Sequence, residues 1–393
     1  MGNIIALQPG VLRWARERAG LDIDTLAKKI GVKSPQNVQS WEENGRLTFT
    51  QAENLAHHTH TPFGYLFLDA PLEEFLPIPD FRTVDDSHPA GFPSPELLDT
   101  IQTMQMRQNW MHDRLIEEGH RPLKFIGSKT LKDRPETVAA DMLNVLGISD
   151  KWAQKESNWE NALRTLFRHV DNTGILIFIN GVVGNNTHRS LDAEEFRGFA
   201  LCDDYAPLIF INGADARPAR MFTIVHELAH LWIRQDGVSN FNKLLSGNNQ
   251  AEQFCNRVAA EFLVPKAFLR DRWQEAKNSG DPYNYLAKHF KVSQVVAARR
   301  AFDLGMISRE EFFDFYHNYV RAWQDGEQRK REASESRGDF WNTQNIRVGE
   351  RFGRAVICAA KEGRLLYREA YQLVGIRGTT FDNFARHLGF TTP

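Results

Sequence analysis

The chain has 393 residues, 42% of them hydrophobic, which is enough to bury sizeable cores and leads us to expect two or three domains. Its 48 basic and 50 acidic residues give a net charge of −2, which excludes a general electrostatic attraction to nucleic acid or to an anionic membrane. The first residues lack a basic stretch, and the longest apolar run, GILIFI, is too short to cross a bilayer, so we expect a cytoplasmic protein without a membrane partner. Three widely spaced cysteines, Cys202, Cys255 and Cys358, predict reduced thiols.

Residues 1–75 are predicted to form a compact helical domain. Short segments carry apolar residues at helical spacing, and each is bounded by Gly, Pro or an N-cap residue. The stretch LDIDTLAKKIGVKSPQNVQSWEENG resembles an Xre-type helix-turn-helix, with Gly31 at the turn and Trp41 as the core anchor of the second helix. In the HHTH that follows, we interpret His57, His58 and His60 as the close of a helix, where histidines suit the negative end of the dipole, rather than as a metal cluster.

The second helix of this motif carries polar side chains that could read base edges, namely Gln36, Asn37, Gln39 and Ser40. It has no Arg or Lys, and residues 1–75 hold seven basic and nine acidic residues, a weak electrostatic footprint for phosphate binding. Two interpretations therefore stay open for this domain: DNA binding, and docking to another protein, for example a substrate of similar fold.

The segment APLEEFLPIPDFRTVDDSHPAGFPSPE contains six prolines, which predict an extended connection and a domain boundary. With the helix that follows, it forms a connector over 76–120. Helices are predicted at 96–118, 135–146 and 158–171, and the β-rich runs GILIFIN, FRGFAL and PLIFIN come after them. We therefore predict an α+β domain with a small sheet over 121–279 and a helical C-terminal domain over 280–393.

The run FTIVHELAHLW, residues 222–232, places two histidines and a glutamate among apolar residues. In a helix, His226 and His230 lie one turn apart on the same face, so two imidazole nitrogens can bind one tetrahedral zinc. The carboxylate of Glu227, beside them, can take a proton from a metal-bound water without being a ligand. Burying these groups without a ligand costs a few kcal/mol each. This cost favours a metal site over a pair of core histidines that are hydrogen-bonded only to other protein groups.

A third ligand is expected from the helix predicted over AEQFCNRVAAEFLVP, residues 251–265. Glu252 is our preferred ligand, Asn256 on the same face is expected to orient a ligand, and Glu261 is the reserve candidate. The small Ala259 and Ala260 would let this helix approach the first one closely. Cys255 could ligate zinc or sense oxidants, but a small buried apolar role is the simpler interpretation.

The HExxH pattern is typical of metalloproteases, so peptide hydrolysis is the chemistry expected of such a site. Zinc lowers the pKa of its water and polarises the carbonyl, while Glu227 accepts a proton and returns it to the leaving amine. The FRGFAL strand, if it lies at the sheet edge, could hold the substrate by β-augmentation. The residue that stabilises the oxyanion stays open among four candidates, which are Tyr205, Arg220, Tyr316 and His317.

In the C-terminal part, LAKHFKVSQVVAARRAFDLGMIS again resembles a helix-turn-helix, with Arg299 and Arg300 in its second helix. Residues 280–393 hold 18 basic and 14 acidic residues, so a nucleic-acid or toxin contact over 280–310 is one interpretation. A solvated helix face is the other.

Taken together, RMFTIVHELAHLW, EQFCNRVAAEFLVP, PIPDFRT and GRLLYREAYQLVGIRGTTFDNFARHL make the chain resemble the ImmA/IrrE family of metallo-endopeptidases, in its long form with an N-terminal Xre-type helix-turn-helix. The resemblance implies a zincin-like domain whose metal ligands are His226, His230 and Glu252 and whose catalytic glutamate is Glu227. It also implies that the substrate is a partner regulator, typically a helix-turn-helix repressor or antitoxin, cut in a stress, mobile-element or defence response. The alternative is a non-enzymatic antitoxin or transcriptional regulator that keeps the peptidase fold to bind a toxin or DNA.

Overall fold

The structure is a computed structural model, which describes residues 3–79, 93–215, 219–239, 249–333, 344 and 346–390. The chain divides into two compact units, Met1–Pro77 with Val84–Gln102, and Ile78–Thr83 with Thr103–Pro393. Residues 80–92 of the proline-rich connector, which include the DFRT of PIPDFRT, lie outside the described residues. No described helix is both long and apolar enough to cross a membrane.

The first unit is a small helical domain. The carboxylate of Asp22 caps its second helix by accepting from the Thr25 amide, and Gly31 ends that helix in the left-handed conformation at φ 77°. This glycine makes the turn that the sequence predicted. Trp41, on the next helix, is 5% exposed and belongs to the core. The elements are β1 (Ile4–Ala6), α1 (Pro9–Arg18), α2 (Ile23–Ile30), α3 (Pro35–Asn44), β2 (Arg46–Thr48), α4 (Phe49–His58) and a 3-10 turn (Phe63–Phe67).

Three helices precede the sheet, and their bounds agree with the predicted ones within two residues. They are α5 (Pro95–Glu117), α6 (Pro135–Leu146) and α7 (Trp159–Asn172). Pro135 opens α6, Gly147 closes it at φ 64°, and the Asn158 side chain caps α7. These local signals explain why the helix bounds could be predicted from the sequence.

The second unit contains a four-stranded sheet with the order β3-β7-β6-β8 and a separate two-stranded pair, β4 with β5. In the sheet, β3 is parallel to β7, and the other neighbours are antiparallel. The strands are β3 (Leu176–Asn180), β4 (Val182–Val183), β5 (Asn186–Ser190), β6 (Gly198–Leu201), β7 (Leu208–Asn212) and β8 (Gly237–Ser239). Mixed strands and segregated helices confirm the α+β fold class.

The position of β6 corrects one expectation. The FRGFAL strand pairs with β7 on one side and β8 on the other, so both of its edges are used and it cannot accept a substrate strand. Within the described part of the sheet, the strand next to the metal motif that lies at an edge is β8.

Side chains that alternate along the strands pack on opposite faces of the sheet. On one face, Ile177 and Ile209 join the main core with residues of α8 (Arg220–Trp232) and α9 (Gln250–Leu263). On the other, Phe199 stacks on Phe210 with ring centroids 5.0 Å apart, and Phe178 contacts Phe352. The helix α8 therefore lies directly beneath the sheet, and its polar residues lie inside the protein.

The helices after α9 continue this unit, since Leu286 and Phe290 belong to the main core. The second helix of the LAKHF stretch has one buried arginine: Arg300 is 7% exposed and pairs with Glu261, so it is not available to nucleic acid. Arg299 instead pairs with Asp303 on the surface. The helices are α10 (Lys266–Asn278), α11 (Pro282–Phe290), α12 (Gln294–Asp303), α13 (Arg309–Ala333), α14 (Glu350–Lys361), α15 (Tyr367–Val374) and α16 (Thr379–His387).

Candidate metal centre

The HELAH residues occupy the middle of α8. His226, Glu227 and His230 are each 0% exposed. Burying one such polar group without a compensating contact costs about 2–7 kcal/mol, so their presence on a buried helix requires either partners or a bound ligand.

The α9 helix supplies the third group. Its N-cap Asn249 accepts from the amides of Ala251 and Glu252, which fixes the start of the helix next to α8. The Glu252 carboxylate lies 3.2 Å from His226 Nε2 and 3.0 Å from His230 Nε2. The two imidazole Nε2 atoms are 2.9 Å apart. Three donors from two helices therefore converge on one point.

This donor set fits a metal ion. Among the described residues, His226, His230 and Glu252 form the group of His, Cys, Asp or Glu side chains whose ligand atoms all lie within 4.8 Å of one another. Donors held by one tetrahedral ion at bonds of about 2.0–2.2 Å lie roughly 3.4 Å apart, close to the measured separations. His57, His58 and His60 are not members of this group.

A neighbouring residue on α9 holds one of the histidines. The Asn256 side-chain oxygen lies 3.0 Å from His226 Nδ1. An Nδ1–H that donates to this oxygen leaves Nε2 with its lone pair directed at the other donors. Asn256 therefore lies within hydrogen-bonding distance of a candidate ligand, and its orienting role stays a prediction.

Glu227, next to His226 on α8, lies against β6 and interacts electrostatically with Glu252. A Cβ atom added at Gly198 on β6 would lie 3.1 Å from Glu227 Oε1, so the glycine makes room for this carboxylate. Ser239 on β8, opposite Gly198, donates to Glu252 Oε1 at 3.5 Å. Gly198 and Ser239 were missed by sequence reasoning, because only strand pairing brings them to the centre.

Burial and neighbouring charge act on the two carboxylates in opposite directions. Burial raises the pKa of Glu227 well above its ordinary value, and the charge of Glu252 raises it further. Burial also favours a raised pKa at Glu252, but attraction and hydrogen bonds from His226 and His230 bring that pKa well below its ordinary value. Glu252 is therefore held as an anion, and Glu227 is a carboxyl group with high proton affinity.

Neither Glu227 oxygen has a hydrogen bond of normal geometry within the described residues, although an interaction with Ser239 lowers its pKa against the effect of burial. A buried carboxyl group without a hydrogen bond of normal geometry can bind a ligand or a water.

The reserve ligand and the cysteine lie apart from this centre. Glu261 pairs with Arg300, whose Nε also donates to the Val264 carbonyl at 3.0 Å, so this carboxylate serves the packing of α12 on α9. Cys255 is 0% exposed within the main core, and burial raises the pKa of its thiol well above the ordinary value. It is a small apolar residue, as the simpler interpretation had it.

The four candidates for oxyanion stabilisation make contacts of their own. Arg220 donates to the carbonyls of Gly213 and Asp215, at 2.6 and 3.2 Å, and so ties the loop before α8. The remaining three have aromatic neighbours: Tyr205 packs on His112, Tyr316 on Phe312 and His317 on Phe313. None of these contacts favours one candidate over another.

In the first unit, α3 presents the polar residues singled out from the sequence. Gln36, Asn37 and Gln39 are exposed, while Ser40 is half-buried and accepts from Asn44 at 2.8 Å. The side chain of Gln39 donates to Glu43 at 3.0 Å, and that of Gln36 accepts from Ser34. Asn37 is the exposed amide between them.

Three family models match the chain. A model described as helix-turn-helix matches residues 12–66, one described as an IrrE N-terminal-like domain, of peptidase type M78, matches residues 170–302, and a domain of unknown function (DUF8813) matches residues 348–387. No curated protein and no solved structure matches. The second match contains all of α8 and α9, and with them the three donors. Both parts of the predicted resemblance are thereby confirmed: the chain contains a helix-turn-helix domain over residues 12–66 and an IrrE N-terminal-like domain over residues 170–302.

Proposed function

We propose that the protein is a zinc-dependent endopeptidase that cleaves a partner regulator. His226, His230 and Glu252 hold the ion, and Glu227 is the general base. The observation that carries the proposal is the convergence of three donors beside a buried carboxyl group of raised pKa that is not one of the ligands. A zinc ion bound there supplies Lewis-acid polarisation of a peptide carbonyl and makes water easier to deprotonate.

The side chains of this chain divide the remaining work. Asn256 fixes the tautomer and the ring orientation of His226 through its 3.0 Å contact. Glu227 accepts a proton at a carboxylate oxygen from the attacking water and then gives it to the leaving amide nitrogen. Burial raises the pKa of Glu227, and the resulting higher proton affinity favours acceptance of the proton from water.

The substrate class follows from the family resemblance. We infer a helix-turn-helix repressor or an antitoxin as substrate, cut in the cytoplasm during a stress, mobile-element or defence response. A toxin encoded with such a substrate is a further candidate partner.

The first experiment measures metal content by mass spectrometry on the purified full chain and on Glu252→Ala. We expect about one zinc per wild-type chain and a loss in the variant, because the anionic third donor is removed. Glu227→Gln is the matched control for the chemistry. It should keep the metal, since Glu227 is not a ligand. It should lose hydrolysis of fluorescein-labelled casein, and of a helix-turn-helix regulator encoded next to its gene, by about 10²–10⁴-fold. Full activity in Glu227→Gln would contradict the assignment of the base.

The rival is a non-enzymatic regulator that uses the peptidase fold to bind a toxin or DNA. A pure binding protein gains nothing from Glu227, whose burial raises its pKa and costs stability. This argument favours the enzyme. Tight binding of an intact toxin by a chain that holds no metal would support the rival.

The helix-turn-helix match supports DNA binding by the first unit. We propose Gln36, Asn37, Gln39 and Ser40 on α3 as the base contacts. Selection from random duplexes followed by footprinting tests this, with Asn37→Ala expected to relax specificity at one base position and Glu53→Ala, on α4, as control. If the selection recovers no DNA sequence even at low salt, protein docking is the role of the domain.

A further inference from the structure

The outer edge of β8 is already in contact with another part of the chain. The backbone N–H of Val238 donates to the carbonyl of Pro79 at 3.1 Å. Ile78, next to that proline, is 7% exposed. Both connector residues group with the second unit, although Pro77 before them groups with the first. Ile78–Pro79 therefore lies along β8 on the side away from β6.

This edge borders the metal centre. Ser239, the residue after Val238, reaches the Glu252 carboxylate, and its cross-strand partner Gly198 lies against Glu227. Neighbouring strands are separated by about 4.8 Å, so a chain on the outer edge of β8 runs within one strand spacing of the residues that touch both carboxylates.

An outward N–H on an edge strand is the group that an added peptide strand uses first. In this protein the carbonyl of Pro79 accepts the hydrogen bond from the Val238 N–H. Proline has no N–H, so this segment can accept from β8 at Pro79 but cannot donate to it there. In the described part of the connector, one backbone hydrogen bond and the burial of Ile78 make up the contact, and a better-paired strand can replace both.

We propose that the outer edge of β8 is the docking site for the extended segment of the substrate, and that Ile78–Pro79 occupies this site in cis. The partner is a peptide whose carbonyl accepts from Val238 and whose side chain is apolar at the position of Ile78. A substrate must displace the connector before its backbone can lie beside Glu227 and Glu252. This proposal rests on the peptidase function proposed above, of which it names the docking surface and the regulation.

Hydrogen exchange of the Val238 amide in the intact protein, with and without zinc, tests the occupancy directly. Ile78→Asp should weaken the packing of the segment and raise the exchange rate of the peptide that contains Val238 by at least fivefold. Ile78→Val keeps the apolar contact, and Leu72→Asp places the same charge at a position that is already 37% exposed, so both should exchange as wild type does. Equal exchange in Ile78→Asp and wild type, with unchanged melting temperature, would overturn the proposal.

Peptide binding tests the docking. The probe is the synthetic peptide EEFLPIP, identical to residues 73–79, carrying fluorescein, with a scrambled peptide as control. We expect it to bind Ile78→Asp at least tenfold more tightly than wild type, and casein hydrolysis by this variant to rise several-fold while Leu72→Asp stays at the wild-type rate. If the enzyme is active and all variants bind the peptide and hydrolyse casein equally, then Ile78–Pro79 does not occupy the edge of β8. The peptidase function would stand in that case. Tighter peptide binding by a chain that never cleaves would keep the docking edge and remove the peptidase function.

Discussion

His226 Nδ1 lies 3.0 Å from the side-chain oxygen of Asn256, so the helix that carries the third donor also holds the ring of the first. We predict that Asn256→Ala lowers zinc affinity by about 10–100-fold without removing the site, because the imidazole loses its fixed tautomer and orientation. Competition with a chromophoric chelator measures the affinity. Asn256→Asp keeps an acceptor at the same place and should stay nearer to wild type, so an equal loss in both variants would contradict an orienting role.

Gly198 is predicted to be indispensable for the contact between β6 and α8. A Cβ there would meet the Phe210 carbonyl oxygen at 2.9 Å, Thr223 Cγ2 at 3.0 Å and Glu227 Oε1 at 3.1 Å. Gly198→Ala should therefore lower the free energy of unfolding by roughly 1–3 kcal/mol and reduce hydrolysis by displacing Glu227. Denaturant unfolding measures the first effect. The control is Gly64→Ala, where the added Cβ meets nothing within 4 Å and little change is expected.

Arg107 on α5 is predicted to stabilise the packing of the C-terminal helices. Its guanidinium is 4% exposed, donates to the Leu373 carbonyl at 2.8 Å and to the Arg347 carbonyl at 3.1 Å, and burial lowers its pKa to about 10. Arg107→Met removes the donors to one buried and one partly buried carbonyl and should cost roughly 2–4 kcal/mol.

Scanning calorimetry of the full chain measures the destabilisation caused by Arg107→Met, with Arg354→Met as the control variant. Arg354 pairs with Glu350, and both side chains are about half exposed, at 49% and 48%. Its loss should change stability by no more than about 0.5 kcal/mol. Equal destabilisation by the two variants would mean that the buried hydrogen bonds of Arg107 contribute little.

Asp171 near the end of α7 predicts a pH dependence of stability. Burial raises its pKa to about 6, while the charge of Arg351 opposes the shift and Glu350 adds to it. The folded state holds this proton more strongly than the unfolded state, so the contribution of Asp171 to stability falls as pH rises from about 4 to above 6. Asp171→Asn should therefore raise the melting temperature at pH 7.5 by more than at pH 4.5.

Thermal unfolding at the two pH values is the measurement. The matched control is Asp133→Asn: hydrogen bonds from Thr130 hold the pKa of Asp133 below its ordinary value, so the folded state favours its charged form. This variant should lose stability at pH 7.5 and lose less at acid pH. If Asp171→Asn raises the melting temperature more at pH 4.5 than at pH 7.5, burial is not the cause of the raised pKa of Asp171.

The sequence by itself determined many of the helices, the spacing of the two histidines, and the order of the helix-turn-helix and peptidase-like domains. Capping residues such as Asp22 and Gly31 act within one turn of the chain, and the separation of His226 and His230 is a property of any helix, so local patterns suffice for them. Three strands, β3, β6 and β7, were likewise readable as short β-rich runs, although the order of the strands in the sheet was not.

Only the tertiary structure decided which groups meet. Glu252 and Glu261 are on the same helix, and the sequence ranked them without deciding; packing places one against the histidines and the other against Arg300. Strand pairing made β6 internal, left β8 at the edge, and brought Gly198 and Ser239 to the two carboxylates. These outcomes depend on contacts between residues distant in the chain, and periodicity within a single segment carries no information about such contacts.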